Sequence, residues 1–451
     1  MDPSPRPRPV RFADRSRSTR RRLGGMAAAV TALVLVTPTI AAADEPGASN
    51  TITDVPGIQV GHETRTGGGY QTGTTVVLAE DEATASYSTF GGAPGTRETD
   101  LLEPGGLVTR ANAIVLSGGS AYGLDTATGA MEWLEEQGLG YNVGQGVVPI
   151  VPAAILFDLG RGGDFTARPD ASFGYAAADA ATDDPVEMGR VGAGTGASWG
   201  LGSASVVLDN GWTVGAIVGL NPGGSPINPD NCLPYGAFLE LGDEFGLADP
   251  NPGNCPAMRG NDGDNQGAAG EESFNTTIAV VATDAPLDQT QAQRMSMIAN
   301  SGLSRSIKPV HNLGDGDTVF ALATSDPAPL SNGQLGQLYN AAADALGRAV
   351  VHALLEGETL GNRVAYCDRY PKICGEPASG AKNDRSDNAV VPPVASSGHP
   401  PTSPGGAGDT TSVMDTARDV GVTGWSAIVL ALALAGVALI GRRRHDHGMT
   451  A

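Results

Sequence analysis

The sequence predicts a mixed α/β body in which packed sheets are flanked by helices. Apolar runs of strand length recur along the chain, and few helical patterns separate them, which favours mixed sheets. Glycine is abundant at 64 residues and aromatic residues make up only 5%, so the core must consist mainly of Val, Ile, Leu and Ala joined by tight turns. The predicted strands cover residues 74–78, 113–116, 150–157, 204–208, 213–218, 277–282 and 318–322.

Three longer segments have the apolar spacing and the polar starts that are typical of helices. The first covers residues 120–137, with Ser120 as its N-cap, and the second covers residues 289–299. The third covers residues 332–355 and follows Ser331, whose hydroxyl can accept a hydrogen bond from the free backbone N–H groups of a helix start.

Residues 1–43 predict an export signal. Their eight arginines lie before an apolar stretch at 26–36, and three alanines at 41–43 supply the small residues of a cleavage site, with Asp44 as the new first residue. An arginine pair before the apolar stretch resembles a twin-arginine signal, and both export routes stay open. The body is expected to cover residues 44–375.

The C-terminal part predicts a stalk, a membrane span and a tail. Residues 376–419 are rich in Pro, Gly, Ser, Asp and Thr and cannot bury enough apolar surface to fold. Residues 420–441 carry no charge over 22 positions, and a helix of that length spans a hydrocarbon core of roughly 30 Å. Three arginines follow in the tail at 442–451, which should stay cytoplasmic and place the body outside the cell membrane.

The charge of the chain excludes one class of partner. The formal net charge is −21; residues 1–43 contribute +6, and the remainder carries −27. Such acidity repels phosphate backbones, so we expect no nucleic-acid partner. Lysine is nearly absent, since the whole chain has only Lys308, Lys372 and Lys382.

Four cysteines in an exported protein favour two disulfides. Pairing of sequence neighbours joins Cys232 to Cys255 and Cys367 to Cys374, which is one of three possible pairings. A zinc site is the alternative, but the chain has no C-x-x-C pair and no histidine close to these cysteines. We therefore predict neither a metal ion nor another cofactor.

A threonine at the start of a strand is the candidate nucleophile. The polar stretch at 249–273 leads into Phe274-Asn275-Thr276 and then into an apolar strand. If the bond before Thr276 is cut, the freed α-amine, with a pKa of about 8, can act as the base for the hydroxyl of the same residue. The alternative is that Thr276 contributes only strand propensity.

Two carboxylates in the same half of the body, Asp315 and Asp317, precede the strand at 318–322. Carboxylates beside an α-ammonium can orient it and set its proton balance; a solvated turn is the alternative. Other hydrolase patterns are less complete. Residues 118–122 miss the G-x-S-x-G pattern by their last residue. The glycine-rich loop at 192–196 lacks the lysine of a phosphate-binding loop and indicates a tight turn.

Seven blocks of the body carry a family resemblance. In chain order they read ITDVPGIQVGHET, GTTVVL, IVLSGGSAYGLD, VPIVPAAILFDLG, VGAGTGAS, NTTIAVVATDAPL and DGDTVFALAT. Together they resemble the blocks of the DmpA-type aminopeptidases and of their relatives, the β-peptidyl aminopeptidases and the nylon-oligomer endohydrolases. The resemblance covers residues 50–358, which is nearly the whole body.

This resemblance implies an α+β fold, an αββα four-layer sandwich whose precursor cleaves itself between Asn275 and Thr276. The products would be an α chain of residues 44–275 and a β chain from residue 276 onward, which would carry the membrane span. The resemblance also implies a homo-oligomer of αβ units.

The resemblance assigns site residues as well. Thr276 takes the place of the N-terminal nucleophile, and Asn221 takes the place of an asparagine that donates to the oxyanion. Asp315 and Asp317 occupy the positions of an Asp-Gly-Asp block in the nylon-hydrolase branch. We expect a hydrolase that acts on small peptides or other small amides outside the cell.

Two departures from the family pattern support a different interpretation. The nylon-hydrolase branch has a tyrosine where this chain has Phe157, and the family usually has a lysine after the glycine-rich loop, where Leu201 is the nearest aligned residue. The alternative function is therefore a surface binding protein that keeps the fold but has impaired catalysis. The intact Asn275-Thr276 pair and Asn221 oppose that alternative.

Overall fold

One long strand organises the fold by running through both halves of a curved sheet. The computed structural model describes residues 44–248, 255, 274–361 and 363–374. Within them nine strands form one connected sheet, and two short strands form a separate ribbon. The eleven strands are β1 (Ile58–Gly67), β2 (Tyr70–Thr89), β3 (Thr96–Arg97), β4 (Arg110–Ser117), β5 (Tyr141–Asn142), β6 (Val147–Val148), β7 (Ala153–Ile155), β8 (Gly200–Val207), β9 (Thr213–Asn221), β10 (Thr276–Thr283) and β11 (Thr318–Ala323).

The order across the sheet is β3-β7-β4-β2-β11-β10-β9-β8, and β1 pairs with β2. The first part of β2 pairs with β1 and β4, whereas its last part, from Thr84, pairs with β11. A register shift between Leu78 and Ala83 separates the two parts. A bulge bends its strand and increases the twist. The sequence predicted packed sheets; the two halves instead belong to one sheet, because β2 is 20 residues long and joins them.

Five α-helices cover the outer faces of the described sheet. The shortest one lies near the C-terminal end of the described chain. The helices are α1 (Thr126–Glu136), α2 (Ala171–Asp179), α3 (Gln289–Ser306), α4 (Asn332–Leu355) and α5 (Tyr366–Arg369).

Three apolar clusters form the core: one lies between the two halves of the sheet, and each of the other two lies between one half and its helices. In β10, Ile278 and Val280 point into a cluster between the sheet halves, whereas Ala279 and Val281 pack with α3 and α4. This alternation follows from the two-residue period of a strand. The outer face of the other half packs on α1 and α2 in the third cluster, which includes Val115. The mixed sheet with flanking helices is thus confirmed.

The predicted strands lie in β2, β4, β7, β8, β9, β10 and β11, but the segment at 150–157 forms only three residues of strand. Pro152 lies directly before β7 and cannot donate a backbone hydrogen bond to a neighbouring strand. The predicted cap of α4 is confirmed, because Ser331 accepts from the backbone N–H of Gln334. The second predicted helix extends seven residues further, to Ser306.

The prediction that Ser120 caps a long helix was wrong. Ser120 has a left-handed backbone with φ of 51° and begins a short 3-10 helix, and the α-helix follows from Thr126. The helix α2, which begins after its cap Asp170, was not predicted from the sequence. Gly129 of α1 and Gly174 of α2 let the two backbones approach closely, since a Cβ at either position would meet a backbone oxygen of the other helix at 1.7 Å.

Both disulfides form between the predicted sequence neighbours. Cys232 pairs with Cys255 at a Cα–Cα distance of 5.4 Å, and Cys367 pairs with Cys374 at 5.5 Å. The second bridge closes the chain around α5, and Tyr366 of that helix donates a hydrogen bond to the carbonyl of Cys232.

The predicted export signal at 1–43, stalk at 376–419, span at 420–441 and tail at 442–451 lie outside the described residues. In the part of the chain that the structure does describe, no helix is both long enough and apolar enough to cross a bilayer.

A buried ion cluster ties the N-terminal segment to α4. The Arg348 guanidinium, 0% exposed, donates to both carboxylate oxygens of Glu244 at 2.6 Å, to Asn50 and to the carbonyl of Ser205. His352, one turn further along α4, contacts the same carboxylate at 3.0 Å. Burial alone raises the pKa of Glu244, but the hydrogen bonds from His352 and Arg348 outweigh burial and lower the pKa from 4.5 to about 2.

Replacing Glu244 by Gln should leave Arg348 buried without a counter-charge. Removal of one partner of a buried ion pair costs about 3 kcal/mol or more, so the free energy of unfolding of Glu244→Gln should fall by that amount at pH 7. A folded-state pKa below the unfolded one contributes stability above the unfolded pKa. The wild type should therefore lose this contribution as the pH falls from about 4.5 toward 2.

Denaturant unfolding between pH 3 and pH 7 measures both effects, with the exposed Glu135→Gln on α1 as the control. Equal stability of the two variants at pH 7 would contradict the assignment.

Candidate active site

The candidate nucleophile begins a central strand. Thr276 is the first residue of β10, is only 4% exposed, and pairs in antiparallel register with Asn221 at the end of β9. On its other side β10 runs parallel to β11. The turn at 314–317, which leads into β11, therefore lies beside the start of β10. Three distant parts of the chain meet at this one edge.

This turn covers the peptide bond before Thr276. The N–H of Asn275 donates to the carbonyl of Gly314 at 3.3 Å, and the N–H of Gly316 donates to the carbonyl of Asn275 at 3.2 Å. The same N–H lies 3.2 Å from Thr276 Oγ1, and this hydroxyl donates to the Asn275 carbonyl. A Cβ at Gly316 would meet the Ala93 carbonyl oxygen at 2.7 Å, so this close approach requires glycine.

Asp317 supports the start of β10. Its Oδ1 accepts from the N–H of Thr277 at 2.7 Å, and its Oδ2 accepts from the backbone N–H of His311 at 3.2 Å and lies 2.8 Å from His311 Nδ1. The carboxylate is 1% exposed. Asp317 thus fixes the backbone one residue beyond Thr276 through the acceptor capacity of an ionised carboxylate.

Asp315 braces the neighbouring loops instead. Its carboxylate accepts from the N–H of Gly223 at 3.1 Å, and from the backbone and side-chain N–H groups of Asn312 at 2.9 and 2.8 Å. Burial and the nearby charge of Asp317 raise the pKa of Asp315, whereas the hydrogen bonds from Asn312 and Gly223 oppose the rise. Neither carboxylate lies in the solvated turn that was the alternative prediction.

The side chain of Asn221 is fully buried, and its orientation is set by its partners. Its Oδ1 accepts from the backbone N–H of Ser198 at 3.0 Å and from the Ser198 hydroxyl at 2.6 Å. Because a backbone N–H can only donate, the oxygen must face Ser198. The amide nitrogen then faces Phe157, donating to its carbonyl at 3.0 Å.

An arginine that the sequence analysis did not consider completes the site. Arg161 donates from Nη1 to Asn275 Oδ1 at 2.9 Å and from Nη2 to the carbonyl of Phe274. Its guanidinium lies 5.1 Å from the centre of the Phe157 ring, which also packs against the Phe274 ring at 5.6 Å. Burial lowers the pKa of Arg161, and the charge of Asp158 opposes this shift.

Leu201 lies away from this edge. It is fully buried in the cluster between the sheet halves, where β8 pairs with β9. The departure from the family pattern at Leu201 is thus an apolar core position, and the residue before β8 that contacts Asn221 is Ser198. The glycine-rich loop at 192–196 makes the predicted tight turn, because Gly192–Gly194 form a 3-10 turn and Gly192 has φ of 51°. The loop is also closely packed, since a Cβ at Gly192 would meet Thr75 Oγ1 at 2.2 Å.

Arginines surround that loop. Arg190 donates to the carbonyls of Ala197 and Ser198, and Arg363 donates to the carbonyl of Gly196 at 2.7 Å. Burial lowers the pKa of each of these two guanidinium groups to about 10. The sequence offered a signal for Arg161 and Arg190: since no lysine precedes Thr276, a basic side chain of that part with a permanent charge had to be an arginine.

Comparison with known proteins places the whole body in one group. The profile of peptidase family S58 matches residues 50–365. An uncharacterized aminopeptidase of Mycobacterium leprae is 42% identical over 360 residues, which cover 73% of this chain and 97% of the relative. A 6-aminohexanoate-oligomer endohydrolase of an Agromyces species is 30% identical over 303 residues, 60% of this chain and 74% of the relative.

Solved structures show the same similarity. A Burkholderia β-aminopeptidase matches with a TM-score of 0.54 and 26% identity, over 71% of this chain and 92% of its own. The L-aminopeptidase D-Ala-esterase/amidase of Ochrobactrum anthropi, described as a variant of the Ntn-hydrolase fold, matches with a TM-score of 0.54 and 22% identity, over 73% of this chain and 96% of its own. The fold is therefore Ntn-hydrolase-like.

Asp317→Asn tests the support beneath β10. An amide keeps one oxygen and places an NH2 group at the other position, so the N–H of either Thr277 or His311 loses its acceptor. We expect the free energy of unfolding to fall by about 1–3 kcal/mol. Chemical denaturation measures the change, with Asp326→Asn as the control because Asp326 is 95% exposed. A loss no larger than that of the control would show that Asp317 does not support the site.

Proposed function

The chain belongs to peptidase family S58, and from that membership we propose that it is an N-terminal threonine hydrolase that cuts itself between Asn275 and Thr276. The observation that carries the proposal is the contact of the Thr276 hydroxyl with the Asn275 carbonyl beneath the N–H of Gly316. The family is one of aminopeptidases and amide hydrolases. The geometry at the bond before Thr276 supports the further assignment of Thr276 as the nucleophile.

Self-cleavage begins when Thr276 Oγ1 adds to the carbonyl carbon of Asn275. The carbonyl oxygen becomes negative, and the N–H of Gly316, which already donates to it, stabilises that charge. The C–N bond then breaks, the leaving nitrogen takes up the proton that the hydroxyl has lost, and an ester joins Asn275 to the threonine oxygen. Water hydrolyses the ester, leaving a carboxylate on Asn275 and a free α-amine on Thr276.

The same oxygen then attacks substrates. An isolated α-amine has a pKa of about 8, and the new α-amine of Thr276 takes the hydroxyl proton as Oγ1 attacks an amide carbonyl. Asn221 uses one amide hydrogen for the Phe157 carbonyl, and its second hydrogen serves the oxyanion of the substrate. Water releases the acyl group from Thr276. Small peptides and other small amides are the proposed substrates.

The two aspartates hold the amine end of the site. Asp317 fixes Thr277 by a hydrogen bond to its N–H, and Asp315 braces the loops at Gly223 and Asn312. Negative charge near the new amine favours its protonated form, so the amine should lose its proton at a higher pH than an isolated one. Hydrolysis should therefore be faster on the alkaline side of neutrality.

The location of the enzyme follows from its two ends. We place the body outside the cell, exported by residues 1–43 and tethered by a helix at 420–441, with the tail at 442–451 in the cytoplasm. The same proposal includes assembly into a homo-oligomer of αβ units. It also includes the stalk at 376–419, which joins the body to the span.

Thr276→Ala decides between the hydrolase and the inactive surface protein. The wild-type body should give two chains, the second beginning at Thr276, because the hydroxyl lies against the bond to be cut. Thr276→Ala should stay a single chain, and Thr276→Ser, which keeps the hydroxyl, should be cut. Intact mass and N-terminal sequencing of residues 44–375 measure the outcome.

Thr277→Ala is the matched control, since it removes the neighbouring hydroxyl and should still be cut. Wild-type protein that stays in one piece would favour the surface binding protein, for which the loss of a tyrosine hydroxyl at Phe157 is the supporting observation.

Asn221→Ala should lower kcat by about 100-fold, the usual effect of removing one oxyanion donor. KM should change less, because the contact strengthens only as the oxygen becomes negative. Steady-state hydrolysis of an aminoacyl p-nitroanilide measures both constants, after mass spectrometry has verified that the variant is processed. An unchanged kcat in processed protein would remove Asn221 from the mechanism.

A further inference from the structure

The Arg161 guanidinium contacts the residue whose carbonyl is attacked. Its Nη1 donates to the side-chain oxygen of Asn275 at 2.9 Å, and its Nη2 donates to the Phe274 carbonyl. Nη1 also lies 3.4 Å from Asn221 Oδ1. The guanidinium is therefore placed between the predicted oxyanion residue and the acyl side of the Asn275–Thr276 bond.

A substrate must bring its carbonyl to the same threonine oxygen. The groups that contact Asn275 in the uncut chain consequently contact the acyl residue of a substrate once Asn275 has left. We propose, resting on the proposed function, that Arg161 is an acyl-side specificity residue that selects amides of aspartate. An aspartyl residue has a carboxylate oxygen at the position of Asn275 Oδ1.

The planar fork of arginine explains why the carboxylate is preferred to other acceptors. In the uncut chain the two terminal nitrogens are divided between Asn275 and Phe274. When Phe274 and Asn275 leave after the cut, both terminal nitrogens become available to one carboxylate, which accepts in a bidentate manner. Charge-assisted hydrogen bonds of this kind are about twice as strong as neutral ones. Asparaginyl amides keep one acceptor and should rank second.

The surroundings of Arg161 hold it in place. The guanidinium packs on the Phe157 ring at 5.1 Å, and Asp158 lies next in the chain. The Asp158 carboxylate accepts from the Thr72 hydroxyl at 2.6 Å and from the N–H of Gly119 at 2.7 Å. These bonds fix the carboxylate whose charge interacts with Arg161. A lysyl acyl group would bring a second cation to Arg161, and an alanyl group has no acceptor for it.

Rates on four p-nitroanilides test this selectivity, with aspartyl, asparaginyl, alanyl and lysyl acyl groups. The processed wild type should show a kcat/KM at least about 10-fold higher for the aspartyl than for the alanyl compound. Arg161→Gln should bring the two values within about 2-fold of each other. Arg168→Gln is the matched control, because the Arg168 guanidinium lies 3.6 Å over the Tyr122 ring, and it should keep the preference.

Because Arg161 also holds the uncut segment, each variant is first scored for a new terminus at Thr276. If Arg161→Gln is not cut, the ratio of kcat/KM for the aspartyl and alanyl compounds is compared between the wild type and Arg161→Lys. This ratio should be lower in Arg161→Lys, since lysine keeps the charge but lacks the two parallel donors of arginine. Equal wild-type rates on the aspartyl and alanyl compounds would overturn the selectivity and leave the proposed function standing.

Binding separates the two proposals further. Free L-aspartate should raise the melting temperature of the processed wild type more than L-alanine does, and this difference should be smaller in Arg161→Lys, which cannot bind the carboxylate in a bidentate manner. Hydrolysis of none of the four compounds would count against the proposed function, whereas aspartate-specific binding would still support the role of Arg161. Equal effects of aspartate and alanine on the wild type would overturn the inference, as equal rates would.

Discussion

The hydrogen bonds that hold the Asn275–Thr276 peptide beneath the turn at 314–317 are the constraint on which the site depends. They require β10 and β11 to run parallel, so that the turn before β11 lies beside the first residue of β10. They also require β9 to run antiparallel, so that its last residue, Asn221, reaches the same edge. The N–H of Gly316 approaches both the carbonyl and the hydroxyl, and only glycine fits there because a Cβ would meet the Ala93 carbonyl oxygen at 2.7 Å. Strand pairing thus brings the turn and Asn221 to the start of β10.

Much of the fold could be predicted because its signals are local. The cap at Ser331, the apolar run of β10 and the cysteine neighbours each depend on a few adjacent residues. The prediction was wrong at Ser120, where a left-handed backbone begins a 3-10 turn, and it missed α2, whose glycine-mediated contact with α1 has no local signature. The joining of both sheet halves by β2 could not be anticipated either, since it depends on pairing between segments far apart in the sequence.

The candidate site shows the same division. The pattern of the sequence indicated Thr276, Asp315 and Asp317, and the family resemblance added Asn221. The structure brings all four to one edge. Arg161 and Ser198 were missed because their role depends on side-chain contacts with Asn275 and Asn221 rather than on a motif. The family's lysine has no counterpart at Leu201, which is buried in the apolar cluster, whereas arginines surround the adjacent loop. Within the described site, arginines carry the positive charge.

The central claim is that the hydroxyl of Thr276 becomes the covalent nucleophile, and trapping of the acyl-enzyme tests it most directly. Processed protein is mixed with an activated aspartyl ester, quenched with acid within its first turnovers, digested and mapped by mass spectrometry. The account predicts an added aspartyl mass on the peptide that begins at Thr276, located on that residue by fragmentation. An adduct on another residue, such as Ser120, or turnover with an unmodified Thr276 peptide throughout, would contradict it.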